Sequence, residues 1–279
     1  SRFFFNIPMI THVMGHWEIS PAPNEHRWTA SIRHWVLRCA DVALVRGQRS
    51  RHTVHQVTQL PRDRILIQHN VFDFSLYESV GPQPHRYDLI FIGNLEPNKH
   101  LHFLIEIVSR LHLINRKIRL VVIGDGPLRD RLPKLSRSFN VSQYIDFVGT
   151  RNELEIIQLL KSSKLLVLTS LGEGVPQVVV EAFACNVPAI VFDSGDVNEI
   201  VRHRENGILV EPLNIDAFVK EVDNVLHAPG ELDRLISGTK AFRSEHEKVC
   251  NISQEGKMWT SALNAAKQIH RNFLPEGLP

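Results

Sequence analysis

Two glutamates eight residues apart, Glu173 and Glu181, bracket the segment Glu173-Gly174-Val175-Pro176-Gln177-Val178-Val179-Val180-Glu181. A proline at a helix start pre-sets the first turn and leaves the amides around 174–177 without intrahelical acceptors. Such a start attracts phosphate or sugar oxygens through its dipole and its unpaired donors. Carboxylates accept hydrogen bonds from vicinal hydroxyls of the kind found on ribose and hexose. The segment therefore suits a ligand that carries sugar and phosphate together, although two acids beside a helix start also occur as plain capping arrangements. A second cluster, Gly93-Asn94-Leu95-Glu96-Pro97-Asn98-Lys99, follows an apolar run. Lys99 is expected in the first turn of a helix opened by Pro97. A cation there opposes the helix dipole and points to a bound anion, with a solvent-exposed lysine as the alternative.

The elements that must hold these residues alternate regularly from Tyr87 onward. Apolar runs at 88–92, 118–123, 144–148, 165–168, 189–192 and 208–210 read as strands. Helices are expected from Pro97 (Leu101, Leu104, Ile105, Val108 and Leu111 at helical spacing), up to about Arg137, from Asn152, over 176–185 and from Asn214. Asn152 with Glu155 three residues on is a capping box. Apolar strands alternating with helices predict a parallel sheet covered on both faces. Right-handed crossovers make it doubly wound, with its ligand at the carboxyl ends of the strands.

Residues 1–80 differ. Strands at 7–10, 42–45 and 65–67, with helices near 25–39 and 47–58, predict a partial α/β domain that ends in the linker Ser79-Val80-Gly81-Pro82-Gln83-Pro84. The expected organisation is 1–80 as this partial domain, 81–250 as the ligand-binding domain, and 251–279 as a last helix packing back toward the first domain. That helix, about 252–273, carries Trp259, Leu263 and Ala266 roughly on one side.

Composition excludes several classes. A length of 279 residues suits two domains, and 43% hydrophobic with 22% charged residues is ordinary for a globular chain. No apolar run reaches the span a membrane helix needs. The first six residues lack a basic leader and a small-residue cleavage site, so no signal peptide is expected. Cys39, Cys185 and Cys250 show no metal or redox spacing and suit a reducing cytoplasm. The net charge of +2 is uneven: residues 1–70 hold nine arginines, no lysine and four acidic residues. Either this Arg-rich segment is a solvated helix surface, or it draws the chain to an anionic lipid or phosphate-bearing acceptor at the inner membrane. No basic motif interleaved with aromatics accompanies it, so nucleic acid is not expected as a partner. Gly124-Asp125-Gly126-Pro127 lacks the Gly-x-Gly-x-x-Gly spacing of a dinucleotide oxidoreductase.

In its motifs the chain resembles glycosyltransferase family 4, the "glycosyl transferases group 1" class of GT-B fold. The family's strand, Gly-Arg-Leu and later Lys is matched by Gly93-Asn94-Leu95 and Lys99. Its Gly-Asp-Gly-Pro turn is matched by 124–127, and its Phe-x-Gly by Phe147-Val148-Gly149. The Glu-x7-Glu pair is Glu173 and Glu181, and a later loop glutamate is Glu199. The match runs over about 160 residues in order. More weakly, Ile7-Pro8 to His12, Ala40-Asp41 and Asn70 resemble the second half of the family's acceptor domain.

The resemblance implies an α/β, GT-B-like fold: a complete C-terminal doubly wound domain plus a partial N-terminal one. It implies a retaining glycosyltransferase that moves a hexose from a nucleotide-diphosphate sugar to a glycan or lipid-linked acceptor in cell-surface polysaccharide biosynthesis, without cofactor or bound metal. Glu181 would hold the ribose hydroxyls, and Glu173 with the Gly174 and Val175 amides the transferred sugar. Lys99 would neutralise the diphosphate beside Gly93 and Asn94. Residues 148–151, Val148 and Gly149 foremost, would line the base pocket. His12 matches the acceptor-side histidine, with His16 as a rival. Asn94 stands where the family has Arg, and Asp196 enters a loop where the family has a Gly-Gly pair, placing a carboxylate near the donor phosphates. The family's first acceptor-domain half has no counterpart here, so the alternative is a donor-binding, non-catalytic chain or half of a split two-chain transferase.

Overall fold

A computed structural model of the chain describes residues 9–13, 35–68, 71–114, 116–249 and 252–271. The chain divides into two compact units. One comprises Ser1–Phe72, Gly172–Val175 and Lys248–Pro279; the other comprises Asp73–Leu171 and Pro176–Glu247. The sequence boundary at 80 and this one differ by a short helix.

The described residues of the first unit hold three parallel strands in the order β1 (Ile10–His12), β2 (Val42–Val45) and β3 (Ile65–Ile67). Side chains alternate across β2 as they must on a pleated strand. Ala43 and Val45 pack with Val54 of helix α1 (Gln48–Thr58). Val42 and Leu44 face the other way, onto Ala262 and Ala266 of the last helix. Asp41 ties the sheet's start, its carboxylate accepting the Met9 amide at 2.8 Å. The expected first strand lies later in the sequence than 7–10, and Ile7, Pro8, His16 and Asn70 fall outside the described residues.

The second unit opens with helix α2 (Ser75–Ser79) and contains a six-stranded parallel sheet. In chain order it runs β4 (Tyr87–Ile92), α3 (His102–Leu113), β5 (Leu120–Ile123), α4 (Leu132–Ser138), β6 (Ile145–Gly149), α5 (Glu153–Lys161) and β7 (Ser163–Leu168). It continues with α6 (Gln177–Ala184), β8 (Ala189–Phe192), β9 (Gly207–Val210), α7 (Ile215–His227) and α8 (Glu231–Val249). Strands β5 and β8 are buried at every residue, as a sheet covered on both faces requires. The strand order is β6-β5-β4-β7-β8-β9. Successive strands grow outward from β4 to β6, then the chain returns to β7 beside β4 and grows the other way. The expected doubly wound fold is therefore present, and its switch point lies between the carboxyl ends of β4 and β7. Asn152 caps α5 through the full capping box, and Asn214 accepts the Ala217 amide at the start of α7.

One local expectation needs correction, and one helix had not been expected. Pro97 opens a 3-10 turn, 97–99, and not the helix itself. His100 follows with φ 49°, a left-handed residue that breaks helical continuity, so α3 begins only at His102. Helix α8 escaped the sequence pattern because its apolar stripe is narrow. Leu235 and Phe242 are buried with Thr239 between them, and Gly238 interrupts the run. That glycine permits close approach, since a Cβ there would fall 2.0 Å from the Glu205 carbonyl oxygen. The last helix, α9 (Ile252–Arg271), completes the chain's described elements.

Candidate functional site

Three loops at the carboxyl ends of β4, β5 and β6 are joined through their backbones. The Gly93 amide donates to the Ile123 carbonyl (3.1 Å), the Leu95 amide to Asp125 (2.9 Å), the Leu128 amide to Leu95 (3.0 Å) and the Gly124 amide to Gly149 (3.0 Å). Gly124 has φ 135°, and a Cβ on it would fall 1.9 Å from the Gly93 oxygen; no other residue fits there. Asp125 braces the turn, with one carboxylate oxygen accepting the Gly126 amide and the other pairing with Arg129 at 2.8 Å.

Beside these joined loops lies a cavity of about 500 Å³. Leu95, Val122, Phe147 and Val148 give it apolar walls, and Gly124 and Gly149 expose bare backbone. Arg129, Asp130 and Lys134 form a polar rim. The volume and the mix of apolar wall with few polar groups suit a small, flat ligand such as a nucleobase. Val148 and Gly149, expected at a base pocket, line this cavity; Arg129, Asp130 and Lys134, which also line it, were not among the expected residues. Their signal was their place, two to seven residues past the Gly-Asp-Gly-Pro turn. Thr150 and Arg151 do not line this cavity. Arg151 borders a separate one of about 330 Å³ with Arg86 and Glu155.

At the switch point the turn bearing Lys99 is fastened to the end of β7. Thr169 donates its hydroxyl to the Lys99 carbonyl at 2.9 Å, and the Leu171 amide reaches the Asn98 carbonyl at 3.4 Å. Lys99 is half-buried in this 3-10 turn, so the helix-dipole argument for it falls away and its place at the switch point takes over. Asn94 is exposed, its carbonyl accepting the Glu96 amide.

Pro176 stands at the N-cap of α6, as expected, and Glu181 lies about a turn into the helix. Burial, and then the nearby Glu153 carboxylate, raise the Glu181 pKa. Among the described residues no donor meets the Glu181 carboxylate. Burial followed by Glu181 raises the Tyr77 phenol, and burial pushes the Cys185 thiol up to about 12 against the opposing charges of Lys161 and Arg243. A carboxylate with raised pKa and unused acceptor capacity is matched by a ligand offering hydroxyl donors.

Gly93, Asn94, Lys99, Val148, Gly149 and Glu181 all belong to the second unit. Glu173, Gly174 and Val175 group with the first, as does His12. His12 ends β1, with its ring edge-on to Trp259 at 6.4 Å. Asp196, expected as a carboxylate facing the donor phosphates, is fully buried. Among the described residues no group of three or more His, Cys, Asp or Glu side chains could hold a metal, and no helix is long and apolar enough to cross a membrane.

A family model described as "Glycosyl transferases group 1" matches residues 77–242, more than half of the chain. An uncharacterized glycosyltransferase of Methanocaldococcus jannaschii is 29% identical over 215 residues, covering 72% of this chain and 55% of its own. Glycogen synthase of Mycobacterium tuberculosis is 22% identical over 241 residues, covering 83% and 57%. The chain spans about half the length of the curated relatives it matches. Among solved structures, Anabaena Alr3699/HepE in complex with UDP superposes with a TM-score of 0.75 at 19% identity, over 92% of this chain and 72% of that one. Sucrose-phosphate synthase from Thermosynechococcus elongatus gives 0.74 at 17%, over 97% and 69%. The α/β, GT-B-like fold class is common to them. With the joined glycine loops, the cavity beside them and the family match over the same residues, this chain belongs to the glycosyl transferases group 1 family.

Proposed function

We propose that this chain binds the donor of a retaining glycosyltransferase, which moves a hexose from a nucleotide-diphosphate sugar to a glycan or lipid-linked acceptor in cell-surface polysaccharide biosynthesis. The observation that carries the reading is the cavity of about 500 Å³ at the carboxyl ends of β4, β5 and β6, beside the switch point where Lys99 is fastened. The base enters against Val148 and Gly149. Glu181 accepts the ribose hydroxyls, which relieves its unmet acceptor capacity. Lys99 draws charge from the diphosphate as it leaves, a stabilisation given only where negative charge develops. Glu173 and the Gly174 and Val175 amides hold the transferred sugar, and His12 serves the acceptor side. The Arg-rich first segment meets an anionic surface or a partner chain at the cytoplasmic face of the inner membrane.

Asn94 favours a second reading, a donor-binding chain that needs a partner for turnover. Its exposed amide stands where the family carries a cation. Calorimetry separates the roles. With UDP, GDP and ADP and their sugar conjugates, Glu181→Ala weakens binding of the bare nucleotide, whereas Glu173→Ala weakens only the added response to the sugar. Equal losses for both ligands in both variants overturn the assignment. Donor binding without sugar transfer or donor hydrolysis selects the second reading.

A further inference from the structure

Three charged side chains line the cavity at the ends of β4, β5 and β6, and they are not equally free. Arg129 is held by Asp125 at 2.8 Å. Asp130 and Lys134 line the same cavity, and among the described residues neither side chain forms a hydrogen bond or ion pair. Asp130 stands in the turn that leads into α4, and Lys134 in the first turn of that helix. Arg131, next in the chain, does not line this cavity.

The apolar walls do not choose between bases. Leu95, Val122, Phe147 and Val148 accept any flat ring, and about 500 Å³ admits a two-ring purine as readily as a one-ring pyrimidine. The choice falls to hydrogen bonds at the ring's edge. A carboxylate only accepts them and an ammonium only donates them. Guanine presents its N1–H and its 2-amino group side by side, two parallel donors for one carboxylate, with the O6 acceptor next to them for a cation. Uracil presents one N–H between two carbonyl oxygens, and either carbonyl repels the second carboxylate oxygen. Adenine and cytosine each present one amino group beside a ring acceptor. A free carboxylate and a free ammonium on one rim therefore match the edge of guanine better than that of any other common base.

We propose that the donor is a guanosine-diphosphate sugar, with Asp130 the residue that selects the base and Lys134 its companion at O6. The proposal rests on the reading of this cavity as the base site. Asp130 accepts N1–H and the 2-amino group as a bidentate pair, which discriminates against a wrong base by about tenfold to a hundredfold. An acid just before a helix also favours the helix's positive end. That role is indifferent to which base is bound, so selectivity, and not affinity alone, separates the two.

Calorimetry of the full chain with GDP, inosine diphosphate, xanthosine diphosphate and UDP is the test. On the unaltered chain GDP is expected to bind most tightly, and UDP about tenfold to a hundredfold more weakly. Inosine diphosphate, which lacks only the 2-amino group, is expected to bind about tenfold more weakly than GDP. Asp130→Asn replaces one acceptor with an N–H donor, which opposes the 2-amino group of guanine and suits the O2 carbonyl of xanthine. The variant is expected to lose about tenfold or more for GDP and to gain for xanthosine diphosphate, so that their order reverses. The base series on the unaltered chain stands whether or not the variant folds. UDP bound as tightly as GDP, or an Asp130→Asn variant that weakens all four ligands by one factor, overturns the guanine assignment and leaves the base site standing. Binding of none of the four overturns the reading of the cavity as well.

Discussion

Ionising Glu181 in the folded chain places a half-shielded carboxylate near that of Glu153. The native state therefore holds the Glu181 proton more tightly than the unfolded state does. The stability from that proton is fully present below the ordinary carboxylate value near 4.5 and is lost as pH rises through the raised native value. Glu181→Gln removes that loss. It is expected to raise the midpoint of urea unfolding at neutral pH while weakening nucleoside diphosphate binding by about tenfold to a hundredfold, the worth of charge-assisted hydrogen bonds at about 1.5–3 kcal/mol. Lower stability at pH 7 would place Glu181 in a favourable ion pair, which it does not form among the described residues. Asn94 poses the complementary case. Asn94→Arg adds a cation to an exposed position on the Gly93 loop and is expected to tighten diphosphate binding roughly tenfold, more at low salt than at high. Unchanged affinity across a salt series would mean that this side chain does not face phosphate.

The loops of β4, β5 and β6 act as one element because their backbones leave no room between them. Gly124→Ala sets a methyl where the Gly93 oxygen already lies, at a φ that side chains rarely adopt. A loss of about 3 kcal/mol or more is expected in urea unfolding, with nucleotide binding abolished. Asn152→Ala is the control at similar distance along the chain. It removes a helix cap worth about 1 kcal/mol and is expected to leave nucleotide affinity unchanged. Equal effects of the two substitutions would remove the loops' special standing. These elements were also where the sequence was most readable. Apolar runs bounded by glycine define the strands, and Asn152, Asn214 and Pro176 mark helix starts by their own chemistry. What escaped it was decided by neighbours. The left-handed His100 delays α3, and Gly238 in α8 answers to a carbonyl from residue 205. Lys134 and Arg129 join the cavity through the packing of a turn and helix that pattern alone does not orient.

Among the described residues the two units have unequal sheets, three short strands in one and six in the other. The residues proposed for the site fall in both units. Gly93, Lys99, Val148, Gly149 and Glu181 belong to the larger unit, and His12, Glu173, Gly174 and Val175 to the smaller. The motif order reads through this division because it follows the chain, whereas the grouping of Gly172–Val175 with the first unit depends on contacts made in three dimensions. The account's central claim is that a nucleotide sugar is held at the carboxyl ends of β4, β5, β6 and β7. Amide hydrogen exchange of the full chain, with and without a saturating nucleotide-diphosphate sugar, tests this most directly. Slower exchange is expected in 93–99, 124–134 and 147–149 and in the segment from Glu173 to Glu181, with α8 and the β9 edge unchanged. Protection elsewhere, or none in these loops while calorimetry shows binding, would contradict it.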